Sequence, residues 1–416
     1  MSENKSGLIQ KIINLPTFNA LRHKNFVLVF LSSITDSVGM YMSMVALGWL
    51  VLEMTDSPLS LGIVWATRSS PYLFFGVLAG AIADRYDRKM ILILSHVILA
   101  AFAFLLGLLI TQEGIQLWHI LGITFLMGVI NVINFPARQA LAVDIVGREG
   151  AMNAISINAV GMRVIGVVGG AAAGFVVEYW GIDWPFYIMT ASYLLGVSFL
   201  FLIRGVERVN SDENAEPQST WKNFVEGIKL IGLNQVVLVL LIITAVCEIL
   251  GFSYSVLLPV FARDVLNVGA VGLGMFYTAQ SIGGLLGALG LASLGDFRRK
   301  GLLILCIFLT FGIALILFGQ SPWYIVSLIV LALIGAMASG MDAMGHTILQ
   351  LNVNDKQRGR AMGIWMMSIG FGPIGHLAIG AVAAAFSAQI AYTINGGAII
   401  LIFLLLFVLF PKLRKV

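Results

Sequence analysis

The sequence predicts an all-α membrane protein of twelve transmembrane helices in two pseudo-symmetric six-helix halves. Three observations carry this. The 416 residues are 59% hydrophobic and only 11% charged, with mean hydropathy +0.95, whereas soluble domains carry about 25% charged residues. Apolar runs long enough to cross a core of about 30 Å recur from Phe26 to Phe410. The second half of the chain also repeats the first at a near-constant spacing.

Each apolar run is one predicted span: 25–53, 59–83, 90–111, 117–143, 152–178, 184–203, 234–262, 268–294, 301–319, 322–350, 360–385 and 388–410. The first is too long for a signal-peptide core and lacks a small-residue cleavage site, so it is expected to stay in the mature protein. The connections are short except 204–233, a polar linker holding Glu207, Asp212, Glu213, Glu216 and Pro217. Its end places Trp221, Phe224, Val225 and Ile228 on one helical face, the pattern of a helix lying on the membrane surface. The expected organisation is a first half over 1–203, the linker with its amphipathic helix over 204–233, and a second half over 234–416. Cys247 and Cys306 fall inside apolar runs and read as buried thiols.

Twenty-one of the 25 Lys and Arg residues fall on one side of these spans, and only Arg263 falls on the other. The positive-inside rule then predicts a multi-pass protein with both termini and the linker in the cytoplasm. The net charge of +4 has this topological cause and does not point to nucleic acid.

The repeat is explicit. At an offset of 212, Asp36 maps to Glu248, Gly39 to Gly251, Gly62 to Gly274, Arg68 to Gln280, Ser69 to Ser281 and Asp84 to Asp296. At an offset of 206, Gly166, Gly169 and Gly174 map to Gly372, Gly375 and Gly380.

The stretch Gly80-Ala81-Ile82-Ala83-Asp84-Arg85-Tyr86-Asp87-Arg88-Lys89 resembles the signature loop between helices two and three of the major facilitator superfamily. Only the small residue usual before the second basic pair is replaced, by Asp87. Leu52 to Gly62, Asn134 to Ala140 and Arg358 to Gly363 resemble the drug-efflux branch that includes the enterobactin exporter and the macrolide efflux pumps. The antiporter motif of helix five is only partly present, with Val167 where proline is typical; Pro373 carries the proline in the repeat. The resemblance implies an alternating-access secondary transporter of the bacterial inner membrane. Within it, Gly80, Asp84, Arg85, Arg88 and Asp144, with Asp296 and Arg299 in the second half, would form a conformational latch. Asp84 would meet the start of helix eleven near Gly359 to Gly363. Asn354 stands where Asp144 repeats, so the first copy is expected to be the stronger latch.

Ionisable groups inside a membrane are costly and so mark function. Ser32, Asp36, Gly39 and Ser43 share one face of helix one; Thr244, Glu248, Gly251 and Ser255 share one of helix seven; Ser339, Asp342, His346 and Gln350 share one of helix ten. Asp36, Glu248 and Asp342 are the proton-coupling candidates, because carboxyl groups withdrawn from water exchange protons nearer neutral pH. Arg68, Arg138 and Arg163 are fixed cations. Asn134, Arg138, Arg163, Met44, Tyr254, Tyr277, His346 and Trp365 are the candidate lining of a substrate cavity. Asn131, Asn134 and Arg138 share a face of helix four and could contact an anionic substrate or neutralise Asp36 or Asp144; the plainer alternative is structural pairing of Arg68 with Asp36 and of Arg138 with Asp144. His23, His96 and His119 read as lying near membrane boundaries, without a functional signal. Two ligands on one helix, Asp342 and His346, do not define a metal site. No Gly-Lys-Ser/Thr phosphate loop is present and no nucleophile–base set suggests an enzyme, so neither ATP nor any other cofactor is expected. The expectation is proton-coupled efflux of an amphipathic, drug-like small molecule by a monomer in the lipid bilayer. The alternatives are export of a siderophore, metal or lysolipid, or a non-transporting receptor.

Overall fold

A computed structural model describes residues 16–206, 235–295, 297, 299–351, 368 and 370–411. Twelve apolar helices are present among them: α1 Lys24–Thr55, α2 Pro58–Arg85, α3 Arg88–Thr111, α4 Leu117–Gly147, α5 Glu149–Trp180, α6 Trp184–Phe201, α7 Val237–Val265, α8 Gly269–Ser293, α9 Lys300–Gly319, α10 Tyr324–Leu351, α11 Gly372–Ala385 and α12 Ala388–Leu409. The linker and its amphipathic face, Asp296, Asn354, Trp365 and the predicted start of helix eleven lie outside the described residues, as does the side chain of Asp84.

The breaks between helices follow local chemistry. Ser57 caps α2 by accepting from the Ser60 N–H, and Pro58 opens that helix at a position that needs no donor. Asp87, the one departure from the signature loop, caps α3: its Oδ1 accepts from the Met90 N–H at 2.7 Å. Between α4 and α5 the helical hydrogen bonding is nearly continuous, and the chain turns at Gly147, whose φ of 77° suits glycine. Helix α7 is irregular. Cys247–Gly251 and Phe261–Val265 are π-helical and Phe252–Leu257 is 3-10. Such turns widen a helix where a site must be accommodated, and the first contains Glu248.

The two halves meet through α2 against α11 and α5 against α8. Glycines make these contacts possible, and the repeat relates them. A Cβ built on Gly62 would lie 3.3 Å from the Cα of Gly380, and one built on Gly174 would lie 3.1 Å from the Cα of Gly274. Gly62 and Gly274 are repeat mates, as are Gly174 and Gly380, so one close approach is the pseudo-symmetric image of the other. These pairs lie toward the end of the bundle away from the termini. There the Ala270 N–H at the start of α8 donates to Glu178 Oε2 at 2.9 Å, and Arg263 pairs with Asp56 and donates to Leu52 O at 3.1 Å. Contact between α5 and α8 continues to mid-helix, where Arg163 reaches Gly284. Past Arg163 the same face of α5 (Val160, Ser156, Met152) is exposed. The bundle is therefore closed at its far end, and α5 and α8 part toward the end that carries the termini.

Most of the apolar core is one continuous cluster through both halves. Cys247 is buried within it. Cys306, expected to be buried, is exposed: an apolar span in a membrane protein need not face protein, since lipid accepts the same side chains.

Candidate functional site

Three groups of polar side chains occupy the interior of the helices. The first lies in the N-terminal half. Asp36 of α1 forms an ion pair with Arg138 of α4, and its Oδ1 lies 2.8 Å from Nε2 of His96 on α3. Arg138 also donates to Asn134 Oδ1 at 2.9 Å, one turn earlier on α4. His96 is fully buried. Its Nδ1 is 2.7 Å from Leu92 O and its Nε2 is 3.3 Å from Ser32 Oγ. The approach of Asp36 Oδ1 to the ring is close but does not form a hydrogen bond, and that oxygen is buried without one.

This arrangement corrects three readings of the sequence. Arg68 does not pair with Asp36, and of the two carboxylates open to Arg138 the structure takes Asp36, not Asp144. Asp144 is held by Arg88, whose Nη1 lies 2.5 Å from its Oδ2. His96 lies in the protein interior beside an intramembrane carboxylate, not at a membrane boundary. Its position on α3 gave no warning, because the only cue was a single histidine in an otherwise apolar run.

The second group centres on Arg68 of α2. Its Nη1 donates to Ser43 Oγ of α1 at 2.7 Å, and its guanidinium carbon sits 5.4 Å from the ring centre of Trp65. Tyr277 of α8 and Tyr72 of α2 are within electrostatic reach of it, and Tyr254 of α7 is within reach of Tyr277 and Tyr41. Tyr41 bridges the halves through Ser281 at 3.1 Å. Tyr254 and Tyr277 are about 1% exposed, inside the core rather than on an open wall. Yet both hydroxyls, and the Trp65 indole N–H, are buried without a hydrogen-bond partner.

The third group belongs to the C-terminal half. Glu248 sits in the π turn of α7 with Asp342 of α10 in electrostatic reach, and Asp342 in turn is in reach of Arg163 on α5. A Cβ on Gly372 would lie 3.8 Å from Glu248 Oε2 and 3.7 Å from His376 Cε1, so Glu248 faces α11 beside His376. His376 joins the halves, with its Nδ1 3.2 Å from Ser69 Oγ. Asp342 is exposed while His346 is half-buried. An exposed carboxylate on a membrane helix faces water between helices, not lipid. Met44 is partly buried against the core cluster. Among the described residues no group of three His, Cys, Asp or Glu side chains is placed to hold a metal ion.

At the termini end, Arg88 also reaches Ala83 O at 3.4 Å and Ala140 O at 3.5 Å, so it ties the ends of α2, α3 and α4 together. Lys89 donates to Ile203 O at 2.8 Å at the end of α6. Gly80 is half-buried, whereas Arg85 and Arg299 are exposed.

The comparisons with known proteins agree with this architecture. The chain is 28% identical over 392 residues to a staphyloferrin A transporter of Staphylococcus aureus, covering 92% of this chain and 96% of that protein. It is 24% identical over 398 residues to the enterobactin exporter of Escherichia coli, covering 94% and 93%. Among solved structures, the nucleoside transporter NupG superposes with a TM-score of 0.71 at 16% identity, covering 92% of this chain and 99% of that one. A bacterial homologue of the human lysosomal transporter Spinster, in an inward-facing and unoccupied conformation, superposes with a TM-score of 0.68 at 15% identity, covering 97% of each. These structures share the fold. The model of the transmembrane secretion effector family matches residues 15–416. The chain belongs to that family, and it is a multi-pass transporter of the major facilitator superfamily rather than an enzyme.

Proposed function

We propose that this transporter exports an anionic, iron-chelating small molecule of the siderophore type in exchange for protons. The observation that carries the coupling is the Asp36 carboxylate held between Arg138 and His96. The neutral imidazole has one N–H, and three oxygens approach its nitrogens: Leu92 O at Nδ1, and Ser32 Oγ and Asp36 Oδ1 at Nε2. One added proton, shared between Asp36 and His96, supplies the bond that Oδ1 lacks. It also weakens the hold of Asp36 on Arg138, so protonation and helix packing are linked. The substrate reading rests on relatives named for staphyloferrin A and enterobactin, both matched over nearly the whole chain. The amphipathic, drug-like substrate is the second reading, favoured by the methionine and aromatic side chains of α1, α7 and α8, such as Met44 and Tyr41.

The remaining assignments belong to the same proposal. The excess of basic residues on one side supports the termini and the linker lying on the cytoplasmic side of a bacterial cytoplasmic membrane. The two halves divide at 204–233, and the working unit is a monomer. Glu248 and Asp342 are further proton sites. The Gly80 to Lys89 loop, with Arg88–Asp144, governs which end of the bundle is closed.

Inside-out vesicles test the reading. Uptake of iron-free staphyloferrin A or enterobactin, measured with the lumen acidified, should rise with the pH gradient and fall when nigericin collapses it. Uptake indifferent to the gradient would remove the proton coupling. Accumulation of a macrolide panel without either chelator would move the assignment to the drug-like substrate.

A further inference from the structure

A guanidinium inside a membrane needs a counter-charge, and among the described residues the half-buried Arg68 has no carboxylate paired with it. The ion pairs among the described residues leave it out: Asp36 is taken by Arg138, Asp144 by Arg88, and Asp56 by Arg263. Its one side-chain hydrogen bond goes to the hydroxyl of Ser43. Near it stand donors that are themselves unsatisfied, namely the Trp65 indole N–H and the buried hydroxyl of Tyr277. Unpartnered buried polar groups are rare in folded proteins and call for a missing partner. Here the missing partner must accept hydrogen bonds and carry negative charge. A guanidinium fork matches the two oxygens of a carboxylate. These residues come from α2 and α8, and Tyr41 of α1 hydrogen-bonds Ser281 of α8, so the group draws on both halves.

We infer that Arg68, Trp65 and Tyr277 form an anion subsite that takes a carboxylate of the transported molecule. A ligand bridging α2 to α8 links the halves directly, so occupancy favours the arrangement in which the three groups converge. The inference rests on the transporter assignment, but on neither the direction of transport nor its proton coupling.

Equilibrium binding to the full-length protein in nanodiscs tests it, with no gradient imposed. The probes are citrate, its neutral triethyl ester, chloride and inorganic phosphate, read by calorimetry and by tryptophan fluorescence. Citrate should bind at one site, and the ester should bind about tenfold more weakly or worse. Arg68→Gln should weaken citrate by about tenfold or more. Tyr277→Phe should weaken it about three- to tenfold without altering ester binding. Arg68→Lys keeps the charge but loses the fork and should fall between wild type and Arg68→Gln, which covers the case of a glutamine variant that does not fold. Equal binding of citrate and ester, or unchanged citrate affinity in both Arg68→Lys and Tyr277→Phe, would overturn the subsite. Chloride or phosphate displacing citrate at equal affinity would overturn the substrate assignment and leave a site for inorganic anions. Because binding is read without flux, these outcomes are separate from failure of proton-driven export in vesicles.

Discussion

Arg68 and Arg138 are the same expensive group in the same six-helix half, and the fold treats them in opposite ways. Arg138 is neutralised inside the chain by Asp36 and further held by Asn134. Among the described residues, Arg68 meets the Ser43 hydroxyl and an aromatic face, with unsatisfied donors beside it. The difference separates a charge that belongs to the machine from a charge reserved for a guest. Arg138 and its partners can change state only by moving a proton or a helix. Arg68 can complete its environment only when something anionic arrives. A carrier needs both kinds of group, because coupling requires an internal two-state element and recognition requires an incomplete one.

The largest expected effect breaks the internal pair. Asp36→Asn leaves the half-buried Arg138 without its counter-charge; loss of one partner costs about 3–5 kcal/mol when such a pair is fully buried, which is the upper bound here. Thermal unfolding of the protein in nanodiscs should show this, and the double variant Asp36→Asn with Arg138→Gln should recover most of the loss. A single variant as stable as wild type would mean that the pair is not holding α1 to α4.

Arg68→Gln should do the reverse. It removes a cation that no carboxylate in the described structure offsets, so stability should hold or rise by up to about 2.5 kcal/mol, the insertion cost of such a charge. Transport should be lost in the same variant. Stability falling as far as in Asp36→Asn would show that Arg68 has an internal partner, and the contrast between the two arginines would collapse.

Much of this was open to reading in the sequence, for physical reasons. Charges within membrane spans are rare, so Asp36, Glu248, Asp342 and the three arginines stood out, and the small-residue stripe around Asp36 marked the right face of α1. The repeat exposed the glycines that join the halves, since Gly62 and Gly274 recur at one offset and Gly174 and Gly380 at another. Partner choice was not open to reading. Asp36 had two candidate arginines on different helices, and only the relative depth and rotation of α1, α2 and α4 decide between them. His96 shows the same limit: a histidine in an apolar run has no periodic partner on its own helix to announce it. Tyr254 and Tyr277 were expected on a cavity wall, and they lie in the core with their hydroxyls unsatisfied; which atoms lack partners is a property of the packed bundle alone.

His96 sharpens the comparison from the other side. Substituting it by glutamine leaves hydrogen-bonding capacity beside Asp36 but removes the titratable ring. The stability change should be modest, about 1–2 kcal/mol for a buried polar contact. The pH dependence of export in vesicles should flatten, while citrate binding at Arg68 stays as in wild type. A pH profile unchanged in His96→Gln would move the coupling proton to Glu248 or Asp342.

The smallest effect belongs to a third arginine, which sets the scale for the other two. Arg263 pairs with Asp56 at the far end of the bundle, where Asp56 is 81% exposed, and it also contacts Asp264 and donates to Leu52 O. Water screens this pair, and exposed ion pairs contribute about 0–1 kcal/mol. Asp56→Asn should therefore shift unfolding by less than about 1 kcal/mol, and moderate salt should erase most of the difference. Arg263 keeps its bond to Leu52 O in that variant, so the link from α7 to α1 survives. A loss as large as that of Asp36→Asn would mean that this end of the bundle is held by charge. The glycine contacts between the halves predict instead that it is held by close packing of backbone against backbone.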